Sequence, residues 1–339
     1  MFTIRKAVKD DCPILRQLIQ GLAAYHKLNT VLVYPVEQLE EQGFSDQPSK
    51  QLFQALVAQS TDSKQQLVGY IIYFMTYSAF NGKVIQMEEL YVREEYRGCG
   101  LGRTLMRELA KEAIQLSVGS IEWDCMSNNE SSILFYKRLG GKDLADIDGI
   151  HMYSLKGDKL KQLVNTCDSD GHQCLTTIIR EATKEDSCVL RQLTQEFTKE
   201  VNMIRDVVSE QDLIDNGLSN GCDSRQLFQV FIADSVDSGQ PIGYIFYCRA
   251  YSPWNGTGFW IRNLYVRPEY RQKGLAQHLM AAVAKRAISE SRSHLYWRGC
   301  VSDAVATSLY NKLEANDLTA NIGLNLFSMS ADSLAQLAT

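Results

Sequence analysis

The chain has 339 residues, 45% hydrophobic and 22% charged, and Lys+Arg 35 against Asp+Glu 40 leave a formal net charge of −5. That length suits roughly two domains. The apolar fraction excludes a disordered protein, and the charge balance carries no footprint for nucleic acid. Nine cysteines, an odd count without a C-x-x-C spacing, argue against a disulfide framework. Charges at positions 5, 6, 9, 10 and 11 predict no signal peptide. No apolar run approaches the ~18 residues of a membrane span. The expectation is a soluble, cytoplasmic protein with no nucleic-acid and no membrane partner.

In chain order, residues 2–6 read as a strand, and Asp11 to Tyr25 read as a helix with Leu15, Leu18, Ile19 and Leu22 on one face. Strands rich in Val, Ile, Tyr and Phe follow near 52–59, 67–77 and 84–92. The last two are joined by a hairpin, Tyr77 to Lys83, with Asn81-Gly82 as its turn signal. A helix from about Gly100 to Leu116 carries Leu101, Leu105, Leu109 and Ala113 along one stripe. A strand near 120–125, a helix near 130–139 and two closing strands complete the unit. The class is α/β (α+β) with a mostly antiparallel start, which is not a Rossmann pattern.

The unit then occurs again. Ile4-Arg5-Lys6-Ala7 returns as Ile179-Arg180-Glu181-Ala182, and Gln51-Leu52-Phe53-Gln54 as Gln226-Leu227-Phe228-Gln229, each 175 residues on. After one deletion near Gln240 the offset is 174, pairing Leu90-Tyr91-Val92 with Leu264-Tyr265-Val266 and Tyr96-Arg97 with Tyr270-Arg271. So long a period is a tandem duplication, not a solenoid. The expected boundaries are a first domain at 1–163, a polar linker at 164–176 and a second domain at 177–339. Cys167, His172 and Cys174 around the linker offer three metal ligands without a fourth, so no metal is expected.

Arg97-Gly98-Cys99-Gly100-Leu101-Gly102 stands between a strand and a helix. Glycines there let backbone N–H groups approach an anion, and the helix N-terminus adds a favourable dipole. Alone, such a loop is equally a connection without a ligand. It lacks the G-K-[ST] of a nucleotide P-loop and the spacing of a dinucleotide fingerprint.

The pattern [Q/R]-x-x-G-x-[G/A] between strand and helix resembles the pyrophosphate loop of the GNAT acyltransferases, and the element order matches theirs. Within that superfamily, residues 2–160 resemble the diamine (spermidine/spermine) acetyltransferases and their thialysine-acetylating relatives. Met87-Glu88-Glu89, Glu95-Tyr96-Arg97-Gly98, Asn129-Glu130 and Phe135-Tyr136-Lys137-Arg138 carry the likeness. The resemblance implies two tandem GNAT folds, each a mixed, mostly antiparallel sheet flanked by helices. It implies acetyl-CoA as acetyl donor, no metal, and direct transfer to a primary amine: a diamine, a polyamine or a thialysine-like amino acid. Glu88 would be the base and Tyr136 the acid. Leu90, Tyr91, Val92, Arg97, Gly98, Cys99, Gly100, Leu101, Gly102, Arg103 and Asn129 would hold the cofactor. Tyr25, His26, Glu88, Glu89 and Asp148 would face the acceptor.

A base is needed chemically. An ammonium of pKa ~10.4 leaves about one nucleophilic molecule in ~2500 at pH 7, on the order of 4.6 kcal/mol. Taken by themselves, Tyr136 beside Phe135 is a core residue, Glu89 is equally a surface residue or a substrate contact, and His26 is equally a surface helix residue. Family members with an aspartate in the hairpin act on polyamines; Ser78 here, with His26, removes two negative charges and points to a smaller amine.

In the second repeat Arg271, Gly274 and Ala276 keep the loop pattern and Tyr310 matches Tyr136. Glu88, however, becomes Arg262, Asn129 becomes Asp303 and Asp148 becomes Ile322. An arginine stays protonated and cannot act as a base. The second repeat is therefore expected to keep the fold, perform no amine acetylation and form an internal pseudo-dimer with the first, or to take part in a homodimer. The competing readings are a non-catalytic acyl-CoA-binding scaffold and a protein-lysine acetyltransferase.

Overall fold

A computed structural model describes residues 2–27, 34–47, 50–61, 65–169, 176–203, 206–218 and 226–339. In the first half these form β1 (Phe2–Lys6), α1 (Cys12–Tyr25), α2 (Val36–Phe44), β2 (Gln54–Ser60), β3 (Leu67–Ser78) and β4 (Gly82–Val92). There follow α3 (Leu101–Gln115), β5 (Ser120–Met126), α4 (Glu130–Arg138), β6 (Lys142–Asp143), α5 (Leu144–Asp148), β7 (Ile150–Lys156) and α6 (Asp158–Ser169). The second half repeats the order: β8 (Thr177–Glu181), α7 (Ser187–Glu200), α8 (Glu210–Leu213), β9 (Gln229–Ser235), β10 (Pro241–Ser252) and β11 (Gly256–Val266). It closes with α9 (Leu275–Ser289), β12 (His294–Cys300), α10 (Ala304–Lys312), β13 (Asn316–Asp317), α11 (Leu318–Ile322), β14 (Leu324–Ser330) and α12 (Ala331–Ala338).

The stripe of α3 is buried as its spacing predicts, with Leu101, Leu105, Leu109 and Ala113 in one core against Ile71, Ile85 and Ile121. Helix α2 was not evident from the apolar period. The segment expected to be linker from residue 164 is instead helix as far as Ser169, because Leu160 and Leu163 bury one face of α6 and Val164 and Cys167 pack beside them. His172 and Cys174 lie outside the described residues.

The two closing strands do not complete their own unit. One seven-stranded sheet runs β1-β2-β3-β4-β5-β14-β6, the other β13-β7-β12-β11-β10-β9-β8. Strand β14 of the second repeat is antiparallel to β5, Leu324 opposite Met126 and Ser330 opposite Ser120. Strand β7 of the first repeat lies likewise on β12, Ile150 opposite Cys300. The crossovers leave from Gly149 and Gly323, each with a left-handed φ, +60° and +69°, at the end of a five-residue helix. Each core is finished by the other repeat. Phe327, Met329, Leu334 and Leu337 pack with Leu105, Met106 and Leu109, while Tyr153, Leu155, Leu160 and Leu163 pack with Leu279, Met280 and Val283.

One irregularity positions the site. Strand β4 pairs with β3 on either side of Glu88, Ile72 opposite Glu89 and Tyr73 opposite Met87, so Glu88 is the extra residue of a bulge. On its other side β4 meets parallel β5 only from Val84 to Met87. Beyond that point the two strands diverge and the β4 edge faces open space. The second repeat copies this with Arg262 in the bulge, and β11 leaves β12 after Ile261.

Candidate active site

The diverging strands open into a cavity of about 1130 Å³. One end is the glycine loop. Gly98 and Gly100 hold φ of +75° and +84°, and an added Cβ at either would meet nothing, so backbone conformation is what requires glycine there. Gly100 precedes the first turn of α3, whose N–H groups point outward at the loop. Arg97 donates from Nε to the Val92 carbonyl at 2.9 Å, and its guanidinium lies 4.6 Å from the Tyr25 ring centre and 5.6 Å from that of Tyr91. Among the described residues no carboxylate pairs with it. The terminal nitrogens of its fork are left for an anion. Cys99 is exposed, its thiol on the Tyr96 carbonyl.

Leu90, Tyr91 and Val92 line the cavity along the edge of β4, with Leu101, Gly102 and Arg103 at the head of α3. Asn129 caps α4, its Oδ1 accepting from Ser132 N at 3.3 Å and from the Tyr25 hydroxyl at 3.4 Å. These groups suit a long acyl carrier with a diphosphate: a cradle for phosphates, an unpaired strand edge for amides, and a chamber beyond.

Glu88 and Glu89 stand at the inner end. Burial pushes the Glu88 carboxyl up to about 8, with the charge of Asp124 adding to the rise and a hydrogen bond from Ser252 opposing it. Glu89 is 4% exposed and its Oε2 accepts from Tyr70 at 2.7 Å. Burial, with the neighbouring Glu88 charge, holds its proton on well above the ordinary carboxyl range. Tyr136 also lines the cavity, packed on Trp123 and on Phe327 of the second repeat, and burial raises its phenol. Tyr25 and His26 are at the rim, and burial lowers the His26 imidazole below its ordinary value.

Asp148 is not here. It is exposed, its carbonyl accepts from the Cys300 thiol at 3.4 Å, and it belongs to the far side of the crossover. The exchange of β7 and β14 brings its counterpart Ile322 into the cavity wall instead. By the same exchange the hairpin residue beside Glu88 is Ser252, not Ser78, whose Oγ accepts from its own hairpin at Phe80 N and Asn81 N. Since both are serines, the missing hairpin charge stands.

Sequence reasoning missed the opposite wall: Tyr251, Trp254, Trp260 and Tyr296, all from the second repeat. It also missed Asp124, which lines the chamber and accepts from Arg298 of the second repeat at 3.2 Å. Behind it, Glu122 is held by Arg262 at 3.0 and 3.2 Å and by Arg298 at 2.9 Å. Arg262, which stands in the second repeat where Glu88 stands in the first, is thus a buried strut between the repeats.

A sequence profile described as the "Acetyltransferase (GNAT) family" matches residues 21–141 and matches again at 191–314. The chain belongs to the GNAT family. It is a tandem GNAT N-acetyltransferase with two copies of the domain. Thialysine N-epsilon-acetyltransferases of Sus scrofa and Bos taurus are 30% and 32% identical to it over 165 residues, 47% of this chain and 95% of theirs. A solved tandem GNAT protein from the clavulanic acid biosynthesis pathway aligns over 98% of this chain and 99% of its own, with a TM-score of 0.51 at 12% identity, a likeness of fold. Among the described residues no cluster of His, Cys, Asp or Glu is placed to hold a metal ion, and no helix is long and apolar enough to cross a membrane.

Proposed function

We propose that this tandem GNAT protein transfers an acetyl group from acetyl-CoA to the primary amine of a small molecule, a diamine or a thialysine-like amino acid, at one site framed by both repeats. A single observation carries the reading: the bulged Glu88 sits where β4 and β5 begin to diverge, in the same cavity as the glycine loop and Tyr136. Acetyl-CoA supplies an activated acetyl thioester. Arg97, Gly98, Cys99, Gly100, Leu101, Gly102 and Arg103 bind its phosphates, and Leu90 to Val92 and Asn129 meet the pantetheine arm.

Glu88 accepts the proton that makes the acceptor nitrogen nucleophilic, a role suited to a carboxyl with a pKa of about 8. Leu90 to Val92, beyond the bulge, line the cavity on the edge of β4 that β5 leaves unpaired, and a backbone N–H there is the group suited to stabilise the negative charge that develops on the thioester oxygen. Tyr136, protonated at any working pH, holds the proton that the leaving sulfur takes up. Glu89 and Asp124 face the cationic acceptor, and Tyr251, Trp254, Trp260 and Tyr296 offer ring faces to it. That enclosing wall favours a small amine over a lysine on a folded protein. The polar contribution of the second repeat is a wall and not a second base, since Arg262 occupies the bulge there.

The test is CoA release from acetyl-CoA with putrescine, spermidine, spermine, thialysine, lysine and a lysine-containing peptide, for the wild type and Glu88→Gln. Turnover of a small amine that collapses in the variant supports the reading. Acetyl-CoA binding with no turnover of any amine supports a scaffold instead.

A further inference from the structure

The two glycine loops have nearly the same backbone and opposite surroundings. Gly274 holds φ +78° where Gly100 holds +84°, α9 begins as α3 does, and Gln272 takes the left-handed conformation of Gly98. Arg271 donates from Nε to the Val266 carbonyl at 2.7 Å, as Arg97 does to Val92. The forks then differ. At the position of Tyr25 the second repeat has Glu200, at the end of α7, and its two oxygens take both terminal nitrogens of Arg271 at 2.5 and 2.6 Å. At the position of Asn129 it has Asp303, which caps α10 by accepting from Val305 N and Ala306 N and whose charge also acts on Arg271.

The other cations give no compensation. Arg103, exposed at the head of α3, is replaced by the buried Gln277. Lys273, new to this loop, donates back to the Glu269 carbonyl at 3.3 Å. The first loop therefore offers an open guanidinium flanked by neutral groups. In the second, the same guanidinium is already in a bidentate pair, beside a further carboxylate. A diphosphate arriving there would have to displace one anion and sit against another. An exposed ion pair is itself weak. The obstacle is the carboxylate it would leave beside the bound phosphates, in addition to the lost fork.

We infer that acetyl-CoA binds once per chain, at the first loop, and that Glu200 and Asp303 close the second loop by supplying its arginine with internal anions. This rests on the acetyl-CoA reading of the first loop. The second repeat is then a permanent structural partner whose cofactor cradle is filled by its own side chains.

The experiment counts acetyl-CoA sites on the full chain by isothermal titration calorimetry. One site per chain is expected, and Arg97→Glu, at an exposed position, should weaken it at least a hundredfold and leave no second, unweakened site behind. Two sites in the wild type, or one that survives Arg97→Glu and disappears in Arg271→Glu, would overturn the inference. No site at all would overturn the acetyl-CoA reading beneath it, a distinct result. In the double variant Glu200→Tyr/Asp303→Asn, where Asn keeps the helix-capping oxygen, the stoichiometry should rise towards two. A stoichiometry still at one would refute the role given to these two carboxylates.

Discussion

The pH dependence of turnover is the most exposed consequence of the Glu88 environment. With its carboxyl at about 8, roughly one molecule in ten carries the basic form at pH 7, about half at pH 8 and about nine in ten at pH 9. The rate at saturating amine should therefore rise about fivefold from pH 7 to 8, less than twofold from 8 to 9, and then level. Glu88→Gln should lose on the order of 10² to 10⁴ in rate and lose the inflection with it. Ser252 supplies the hydrogen bond that opposes the rise, so Ser252→Ala, a change in the other repeat, should move the inflection to higher pH. Continuous detection of the CoA thiol between pH 6 and 9.5 reads all three. The contrary outcome is distinctive. If the amine enters as the free base with no help, the rate climbs about tenfold per unit towards the amine's own pKa of ~10.4, with no inflection near 8, and Glu88→Gln changes nothing. Such a profile would refute the assignment.

Other outcomes follow from the same geometry. Because the native state binds the Glu88 proton more tightly than the unfolded chain does, stability due to this group falls as pH rises from the unfolded value near 4.5 towards 8. Glu88→Gln should accordingly raise the melting temperature at pH 8.5 and leave it unchanged below pH 4.5, by calorimetry. Phe327 is fully buried against Trp123 and Tyr136, so Phe327→Ala should cost about 3–5 kcal/mol in denaturant unfolding. It should also lower activity in the first repeat's site; unimpaired stability would show that β14 packs elsewhere. Trp254→Ala should raise KM for the amine several-fold with little change in KM for acetyl-CoA, and the reverse pattern would remove the second repeat from the acceptor wall. A chain ending at residue 169 lacks β14 and has no sheet for β7, so it should exchange β7 with a second copy and sediment as a dimer. A stable monomer would show the exchange to be dispensable.

Much of the architecture was legible because it is local. The stripe of α3, the Asn81-Gly82 hairpin and the glycines at 98 and 100 each declare themselves through period or backbone conformation, and the 174–175 offset is plain arithmetic. Partner choice is not local. The sequences of β7 (IHMYSLK) and β14 (LNLFSMS) alternate alike, and alternation says which face is buried without saying which strand lies alongside. Reading each repeat as self-contained therefore sent Asp148 and Ser78 to the wrong cleft. It also hid Tyr251, Trp254 and Tyr296 from the cavity wall facing Glu88. Helix α2 escaped for another reason: its nine residues bury only Leu39 and Gly43, too little for a periodic signal.

The exchanged strands also set an order of events during synthesis. Strand β14 lies between β5 and β6, in the interior of the first sheet, and it comes from residues 324–330 of the second repeat. When the first repeat has been translated, its sheet still has an open slot beside β5, and the neighbouring Trp123 and Tyr136 lack the Phe327 ring that packs on both. The slot is filled only once the final strand of the second repeat has been made, and the loop closed by that pairing spans nearly two hundred residues, a slow kind of contact to form. The sheet that carries Glu88 is finished last although it is begun first. A ribosome that stalls anywhere in the second repeat leaves a chain with Glu88 and the glycine loop already synthesised and an unpaired strand edge in the middle of its sheet, the kind of edge that recruits other chains.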